Sequence, residues 1–363
     1  MAILKIDSIR LYKFSKAAKR DNYFVKICCG EYYGYGEIAL YSKSDDAENS
    51  VIDFLRRLYG KSVKEALEYL FASQDSMPAG ILSSTELAIL DLQGKIAGKN
   101  IAQLLNIEKY ENPIIMYCID TNDKEKLFAF LNKLKGSPDI KGIKIRISAD
   151  AEENRNTVSQ IREIYLPSQG ILAANANFCY TDGIDFSTES TGVRLLKLHA
   201  LGLDIVEDPC DIPKEKWKEL SEFVSPFAME YSRAYSSLDE LKTAIDTDCA
   251  TVYKLKPYAL PSVLYLNEAL KNIDKNISFA TENGGFIGIG ITQWQILSAL
   301  FGCIYTECVI KAPLSNCYTE ALSGESSVYY ENGCCGYSAN GNGFGIELDE
   351  RTLAVNAVKV IDI

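Results

Sequence analysis

The sequence contains a single histidine among 363 residues, and this scarcity excludes several kinds of active site. His199 lies in "VRLLKLHALGLD", at the end of an amphipathic helical pattern, where a surface position is predicted. A Ser-His-Asp triad needs a buried histidine beside its nucleophile, and a zinc site draws on histidines or spaced cysteines. Any metal would therefore be held by oxygen ligands, which favours Mg²⁺ over zinc.

Long basic stretches and long apolar stretches are also lacking. The formal net charge is −11, which argues against a nucleic-acid partner. No apolar stretch reaches the roughly 18 residues that a membrane-spanning helix needs. The first residues, "MAILKIDSIRLYKF", alternate like a strand and lack the regions of a signal peptide. We therefore expect a cytoplasmic protein without a membrane or nucleic-acid partner.

Eleven cysteines are present, but their placement does not indicate a disulfide framework. Cys28 and Cys29 are adjacent in a predicted strand, and most of the others lie in or beside apolar runs. The adjacent pair Cys334-Cys335 does not supply the spaced ligands of a structural zinc site. Reduced, buried thiols are the expected state.

Residues 1–108 are predicted to form an α+β unit. Three strand-like segments come first, and the short link "CGEYYG" between the second and third favours a hairpin. Helical periodicity follows and is strongest in "SSTELAILDLQGKIAGKNIAQLL". There Ser84-Thr85 is the predicted N-cap, and Gly98 is predicted to end a turn.

After this unit the pattern changes to short apolar runs that alternate with helical segments. The runs recur about every 24 to 33 residues, which is the length of a βα unit. This spacing favours a (β/α)7–8 barrel over residues 109–325 rather than an open sheet. The Gly- and Asn-rich segment 326–363 ends in a strand pattern and is predicted to return to the N-terminal unit. The eight runs are "PIIMYCI", "IKGIKIRI", "GILAANA", "LDIVEDP", "PFAMEY", "ATVYKLK", "NISFATE" and "IYTECVIK".

Polar residues stand at the ends of the predicted barrel strands, where barrel enzymes carry their chemistry. A period of two places the paired polar residues of one strand on a common face. Ionisable side chains that point into a barrel need partners. These residues are, strand by strand, Lys144 and Arg146, Asn175 and Asn177, Glu207, Glu230, and Lys254 and Lys256.

Asn175, Glu207 and Glu230 come from three consecutive strands, and we expect them to converge as oxygen ligands of one cation. The cationic side chains of the second and sixth strands would then flank that site. A metal that holds a substrate carboxylate there stabilises the negative charge that forms when a neighbouring proton is removed. The alternative is a salt-bridged barrel mouth without chemistry, and it stays open at this point.

The same residues resemble motifs of the enolase superfamily, in its muconate-lactonizing subgroup. "GYGEIAL" (34–40) resembles the GxGE strand of the capping domain, and residues 85–105 resemble its long helix. "GNGFGIELDE" (341–350) resembles the closing segment of these proteins. The resemblance covers nearly the whole chain and implies a barrel with an N-terminal α+β capping domain. In barrel order, "KIRIS", "NAN", "VEDP", "AMEYS" and "LKP" stand where the subgroup has K-x-K, D-x-N, E-x-P, D-E-S and the lysine of strand six.

The resemblance implies a role for each of these positions. Lys256 would be an acid/base, Lys144 would contact the substrate carboxylate, and Glu207 and Glu230 would be ligands of Mg²⁺. The segment from Ser15 to Asn22, together with Tyr41, would close over the substrate. The residues assigned to substrate binding are Asn177, Lys254, Glu282 and Lys311.

Several of these positions depart from the family pattern. Asn175 stands where the subgroup has an aspartate, which removes one negative charge from the metal site. Arg146 stands at the second catalytic position in place of a lysine, and an arginine keeps its proton at neutral pH. Glu230 replaces an aspartate, and Tyr231 follows it in place of an acid.

Three functions follow as hypotheses. With Lys256 as the one good base, a small carboxylate substrate would undergo elimination or cycloisomerisation, as in the o-succinylbenzoate synthases that "LKPYALPS" and "ITQW" resemble. Arg146 would then hold a second anionic group. The second hypothesis is a dipeptide epimerase. Lys311 argues against it, because it places a cation where that branch binds the ammonium group of a dipeptide. The third is a catalytically silent homologue, and in each case a homo-oligomer is expected.

Overall fold

In the described part of the chain, the strands form two sheets. One combines strands from both ends of the chain, and the other takes its strands from residues 114–337. Among the predicted positions, Tyr41, residues 17–19 and Lys311 lie outside the described residues. A computed structural model describes residues 4–16, 20–40, 44–119, 124–134, 139–180, 187–232, 235–273, 277–282, 284–309, 316–323 and 327–363.

The first three strands and the last strand form an antiparallel sheet. They are β1 (Ser8–Lys16), β2 (Arg20–Cys29), β3 (Tyr32–Leu40) and β14 (Lys359–Asp362), in the order β14-β1-β2-β3. Gly30 has a φ of 62° in the predicted hairpin, a left-handed value that glycine adopts without strain. Four helices follow this hairpin: α1 (Asp45–Arg56), α2 (Val63–Ala72), α3 (Ala79–Ala97) and α4 (Ile101–Leu105).

Helix α3 begins earlier than the sequence suggests, so the prediction of a Ser84-Thr85 N-cap is wrong. Both side chains are buried within the helix, and the Thr85 hydroxyl donates to a carbonyl of the preceding turn (2.7 Å). Pro78 precedes the first turn, where its missing N–H costs nothing because that group has no intrahelical partner. Gly98 ends the helix with a φ of 62°, as predicted.

Eight parallel strands form the barrel, and the last of them pairs with the first, which closes it. This confirms the predicted barrel with an N-terminal antiparallel sheet unit. The strands are β4 (Ile114–Ile119), β5 (Gly142–Arg146), β6 (Ile171–Asn175), β7 (Ile205–Glu207), β8 (Ala228–Tyr231), β9 (Val252–Leu255), β10 (Ser278–Thr281) and β11 (Tyr305–Val309). One helix follows each of the first seven barrel strands. These helices are α5 (Lys124–Leu134), α6 (Ala151–Ile164), α7 (Thr188–Ala200), α8 (Lys214–Val224), α9 (Leu238–Asp246), α10 (Val263–Lys271) and α11 (Ile289–Leu300).

Short elements lead from the barrel back to the N-terminal sheet. Strand β13 pairs antiparallel with β4, so it extends the barrel sheet at one point. Strand β14 pairs with β1, so the end of the chain joins the N-terminal sheet. The elements of this segment before β14 are α12 (Asn316–Ala321), β12 (Val328–Glu331), β13 (Cys334–Tyr337) and α13 (Glu350–Asn356).

Two buried glutamates of the N-terminal unit bind the first turns of successive barrel helices. Glu37 of β3 accepts hydrogen bonds from three amides within residues 287–290, at 2.7 to 3.0 Å. Glu86 of α3 accepts from the Ser262 hydroxyl (2.7 Å) and the Val263 amide (2.5 Å). Burial raises the pKa of each carboxyl to about 7, although these donors oppose the rise. Helix N-termini follow strand ends in a barrel, so the N-terminal unit lies at the end where the strands terminate.

The structure also bears on the predictions about membrane helices, cysteines and His199. No helix in the described part of the chain is long and apolar enough to cross a membrane. Nine described cysteines are free thiols, and five of them are buried. His199 lies in the last turn of α7, as predicted, but it is half-buried because its ring stacks on Phe227 at a centroid distance of 4.9 Å.

Candidate active site

Three glutamates from separate barrel strands bring their carboxylates together inside the barrel. Glu207 ends β7, Glu230 lies beside it in register on β8, and Glu307 lies on β11. One oxygen of each carboxylate lies within 4.8 Å of the others. We call these residues the carboxylate triad. The sequence predicted the convergence of Glu207 and Glu230 but not the contribution of Glu307.

Two lysine ammonium groups lie among the carboxylates of the triad. The Nζ of Lys144 lies 2.5 Å from Glu207 and 2.9 Å from both Glu230 and Glu307. The Nζ of Lys254 lies 3.0 Å from Glu207, 2.9 Å from Glu230 and 2.5 Å from Glu307. Both lysines are almost fully buried, so these ion pairs replace their lost hydration.

The charges of this cluster shift the pKa of both lysines and of two of its glutamates. Burial alone would lower the pKa of Lys144 and Lys254, but the three carboxylates raise it well above the usual value. Burial would likewise raise the pKa of Glu207 and Glu307, but the two ammonium groups lower it. Three carboxylates and two ammonium groups leave a formal charge of −3 + 2 = −1. Neither lysine is therefore suited to act as a base at neutral pH.

Strand β11 supplies two site residues that the sequence reasoning missed, Tyr305 and Glu307. The Tyr305 hydroxyl donates to Glu230 and lies 3.1 Å from the Nζ of Lys144. The signal was present, because alternation in "YTECV" places residues 305 and 307 on one face of the strand. The resemblance pointed instead to Lys311, which follows the end of this strand.

Asn175 stands beside the triad at the end of β6. Its amide nitrogen donates to Glu207 (2.8 Å), and its Oδ1 is buried without a partner among the described residues. A buried amide oxygen without a hydrogen bond is costly, and a cation is one group that would satisfy it. Carboxylate oxygens next to such an amide oxygen form a donor set that suits a hard divalent cation. The residues present therefore fit a metal of the Mg²⁺ type.

Asn177 does not share the position of Asn175. Strand β6 ends at Asn175, and Asn177 and Phe178 have φ values of 47° and 64°. The strand alternation that would place the two amides on one face therefore stops before Asn177, which is exposed. Asn is one of the few residues that enter this left-handed region readily, which accounts for the choice of residue at this turn.

Lys256 lies two residues after Lys254 but in different surroundings. It is buried, its Nζ donates to the carbonyl of Tyr235 (2.9 Å), and it lies 4.1 Å from the centroid of the Tyr235 ring. Burial lowers the pKa of Lys256, in contrast to the raised pKa of Lys254. The N-terminal unit supports this segment, since the Ser83 hydroxyl donates to the Pro257 carbonyl (2.8 Å). Lys256 is therefore the better candidate base of the two.

The remaining predicted positions lie at the strand ends or beyond them. Arg146 ends β5 and is exposed. Glu282 follows β10 and is half-buried, and burial of its carboxyl raises its pKa to about 7. The in-register pairing of β9 with β10 ends at Leu255 and Thr281, so Lys256 and Glu282 are the first residues after these two strands. Lys311 lies outside the described residues, so its assigned role stays a prediction.

Comparison with solved structures identifies the fold. No protein-family model matches the chain. The muconate lactonizing enzyme of Pseudomonas fluorescens, complexed with muconolactone, superposes with a TM-score of 0.78 at 17% identity, over 98% of this chain and 100% of that one. The chain has the enolase-superfamily fold. An L-talarate/galactarate dehydratase variant, liganded with Mg and L-glucarate, shares this fold with a TM-score of 0.75 at 15% identity, over 99% of this chain and 93% of that one.

One characterised relative is similar in sequence. The arabinonate dehydratase of Saccharolobus solfataricus is 30% identical over an alignment of 224 residues that covers 56% of this chain and 57% of that protein. The match thus spans little more than half the length of this relative. The predicted resemblance to the enolase superfamily is confirmed in the fold, and the activity is a separate question.

Proposed function

We propose that this chain is a metal-dependent enzyme that removes a proton from the carbon next to a carboxylate. The observation that carries the proposal is the convergence of the carboxylate triad inside the barrel, with the buried base Lys256 following the neighbouring strand. A cation site and a lysine of lowered pKa are the two components that this chemistry needs.

The metal would be held by the carboxylate triad together with the amide oxygen of Asn175. Mg²⁺ suits this all-oxygen set, and only weak binding is expected because one ligand is neutral. When bound, it would supply positive charge next to the oxygens of the substrate carboxylate, where negative charge develops. Among the described residues, the ligand atoms that converge here are carboxylate and amide oxygens, whereas a zinc centre draws on histidine or cysteine.

Lys256 would act as the base in its neutral form. Its Nζ takes the proton on the α-carbon, and the electron pair of that C–H bond moves toward the substrate carboxylate. In an elimination the same pair then forms a carbon–carbon double bond as a leaving group departs from the β-carbon. The lowered pKa raises the fraction of Lys256 that is unprotonated and ready to accept the proton.

Elimination or cycloisomerisation suits the site better than racemisation. A racemase of this kind needs a base on each side of the substrate, and Arg146 is an exposed guanidinium that keeps its proton. The relatives agree with this, since their names describe two dehydratases and a lactonizing enzyme. The proposed substrate is therefore a small carboxylate, with Arg146, Asn177 and Glu282 as proposed contacts to its other groups.

A catalytically silent homologue is the second candidate. The observation that favours it is that Lys144 and Lys254 form ion pairs with all three carboxylates of the triad, which compensates most of the buried negative charge without any metal. The dipeptide epimerase hypothesis stays untested, because Lys311, the position that argued against it, is not among the described residues.

The experiment that tests the proposed function is proton exchange in D₂O. The protein is incubated with arabinonate, galactarate, L-talarate, L-glucarate or muconolactone, with and without Mg²⁺, and the acids are analysed by mass spectrometry. We expect one deuterium at the α-carbon, or an eliminated product, only when Mg²⁺ is present. Absence of metal binding below millimolar concentrations in calorimetric titration would contradict the proposal and favour the silent homologue.

Asn175→Asp is expected to tighten the binding of Mg²⁺ by about tenfold or more, because a carboxylate replaces a neutral ligand. The formal charge of the site changes from −1 to −2. Calorimetric titration of both proteins measures the effect. The matched control is Asn177→Asp, which adds the same charge at an exposed left-handed position that aspartate tolerates. Equal tightening in both variants would show that residue 175 does not face the cation.

A further inference from the structure

The two buried ammonium groups contact different oxygens of Glu207 and Glu230 and share one oxygen of Glu307. Lys254 bridges the Oε1 atoms of Glu207 and Glu230, at 3.0 and 2.9 Å. Lys144 bridges the Oε2 atoms of the same two residues, at 2.5 and 2.9 Å. Both also contact Oε1 of Glu307. Five of the six carboxylate oxygens of the triad are thus in contact with a lysine.

A divalent cation and these ammonium groups compete for the same atoms. A magnesium ion lies about 2.1 Å from each oxygen ligand, so an ion on an oxygen pair takes the place of the lysine there. An ammonium group on the same pair would be left within a few ångströms of the ion, in a buried site where like charges repel strongly. Metal binding therefore requires that one of the two ammonium groups leaves its oxygen pair.

Lys144 is held more firmly than Lys254. Besides the triad, its Nζ lies 3.1 Å from the Tyr305 hydroxyl and 5.3 Å from the centroid of the Tyr305 ring. In the described part of the chain, the ammonium of Lys254 contacts only the carboxylates of the triad. Lys254 thus has fewer interactions to lose.

Lys254 also has a second carboxylate to receive it. Glu282 follows β10, which pairs in parallel with β9, the strand of Lys254. Burial raises the pKa of the Glu282 carboxyl, and of the neighbouring charges Lys254 does most to oppose that rise. A rotation of the long lysine side chain toward the end of the strand would exchange one anionic partner for another, without leaving a buried charge unpaired.

We propose that Lys254 is an internal counter-ion that fills a cation position of the carboxylate triad, and that a divalent metal displaces it toward Glu282. The proposal rests on the metal site of the proposed function, but it does not require the reaction. It assigns Lys254 to the regulation of metal occupancy instead of to substrate binding.

The test is a calorimetric titration of the full chain with Mg²⁺ and Mn²⁺, in the wild type and three variants. Lys254→Gln is expected to lower the dissociation constant about tenfold or more, since the competing ammonium is gone. Lys256→Gln is the matched control, because it makes the same substitution two residues further along the chain without removing a contact with the triad. Lys144→Gln leaves Lys254 in competition, so we expect a smaller gain than for Lys254→Gln.

Several results would overturn the proposal. One is a Lys254→Gln variant that binds metal no more tightly than Lys256→Gln. Another is a larger gain in Lys144→Gln, which would assign the displaced ammonium to Lys144. Should Lys254→Gln fail to fold, a crystal structure of the wild type with Mn²⁺ decides. An anomalous peak at the triad with Lys254 moved toward Glu282 supports displacement, and a peak with Lys254 still on the triad refutes it.

These readouts separate the inference from the proposed function. Tighter metal binding in Lys254→Gln, without deuterium exchange by the wild type, would support the counter-ion role and refute the reaction. Metal-dependent exchange by the wild type, without a specific gain in Lys254→Gln, would do the reverse. Neither result depends on knowing the natural substrate.

Discussion

Lys256→Gln is expected to lower the metal-dependent rate of α-proton exchange by about a thousandfold, because the variant has no group that can accept the proton. Glutamine still offers an N–H to the Tyr235 carbonyl, the acceptor that Lys256 uses. The fold should therefore persist, which a thermal unfolding curve of each protein verifies. The rate is measured by mass spectrometry in D₂O with saturating Mg²⁺.

The pH dependence of exchange gives a second readout of the same role. Lys256 accepts a proton only when it is neutral, so the rate should rise with pH and reach a plateau above the pKa of this lysine. Burial lowers that pKa, so the midpoint should lie below the ordinary value of 10.5. In Lys256→Ala, added methylamine should restore part of the rate. If the exchange rate of Lys256→Gln depended on pH as that of the wild type does, another group would be the base.

The barrel was predictable from sequence because its signal repeats. Apolar runs at the spacing of a βα unit specify eight strands, and the strand ends then specify a single face for polar residues. Glu207 and Glu230 could be placed together for that reason. The N-terminus of α3 was not predictable in this way, because a buried Ser84-Thr85 pair has the same letters as an N-cap.

The roles of individual lysines were harder to assign, because they depend on depth along the barrel axis. Lys254 lies on β9 and Lys256 follows two residues later, yet carboxylates surround the first and an aromatic ring and a carbonyl lie beside the second. The pKa of Lys254 is therefore raised and that of Lys256 lowered. Sequence spacing gives the face of a strand residue, but its neighbours come from other strands. Register across β8 to β11 had to be known before those neighbours could be named.

Glu230→Gln is expected to reduce both the stability of the fold and the affinity for metal. Glu230 is fully buried, and it receives Lys144 and Lys254 at 2.9 Å each as well as the Tyr305 hydroxyl. Breaking a buried ion pair by removing one partner costs about 3 kcal/mol or more, since the remaining charge stays buried. We therefore expect the free energy of unfolding to fall by about 3 kcal/mol, measured by urea denaturation without metal.

The metal affinity of Glu230→Gln should fall by about tenfold or more, because a carboxylate ligand is lost and the formal charge of the site changes from −1 to 0. Glu222→Gln is the control. Glu222 is exposed on α8, so this substitution should leave both quantities unchanged.

A double-mutant cycle of Glu230→Gln with Lys254→Gln completes the test. If Glu230 and Lys254 belong to one network, the Lys254→Gln substitution should destabilise Glu230→Gln less than it destabilises the wild type. The reason is that Glu230→Gln has already lost a charge that Lys254 compensates. If the two losses of unfolding free energy add, Glu230 and Lys254 act independently. The triad and its ammonium groups would then not form the single charge network on which the proposed competition with the metal depends.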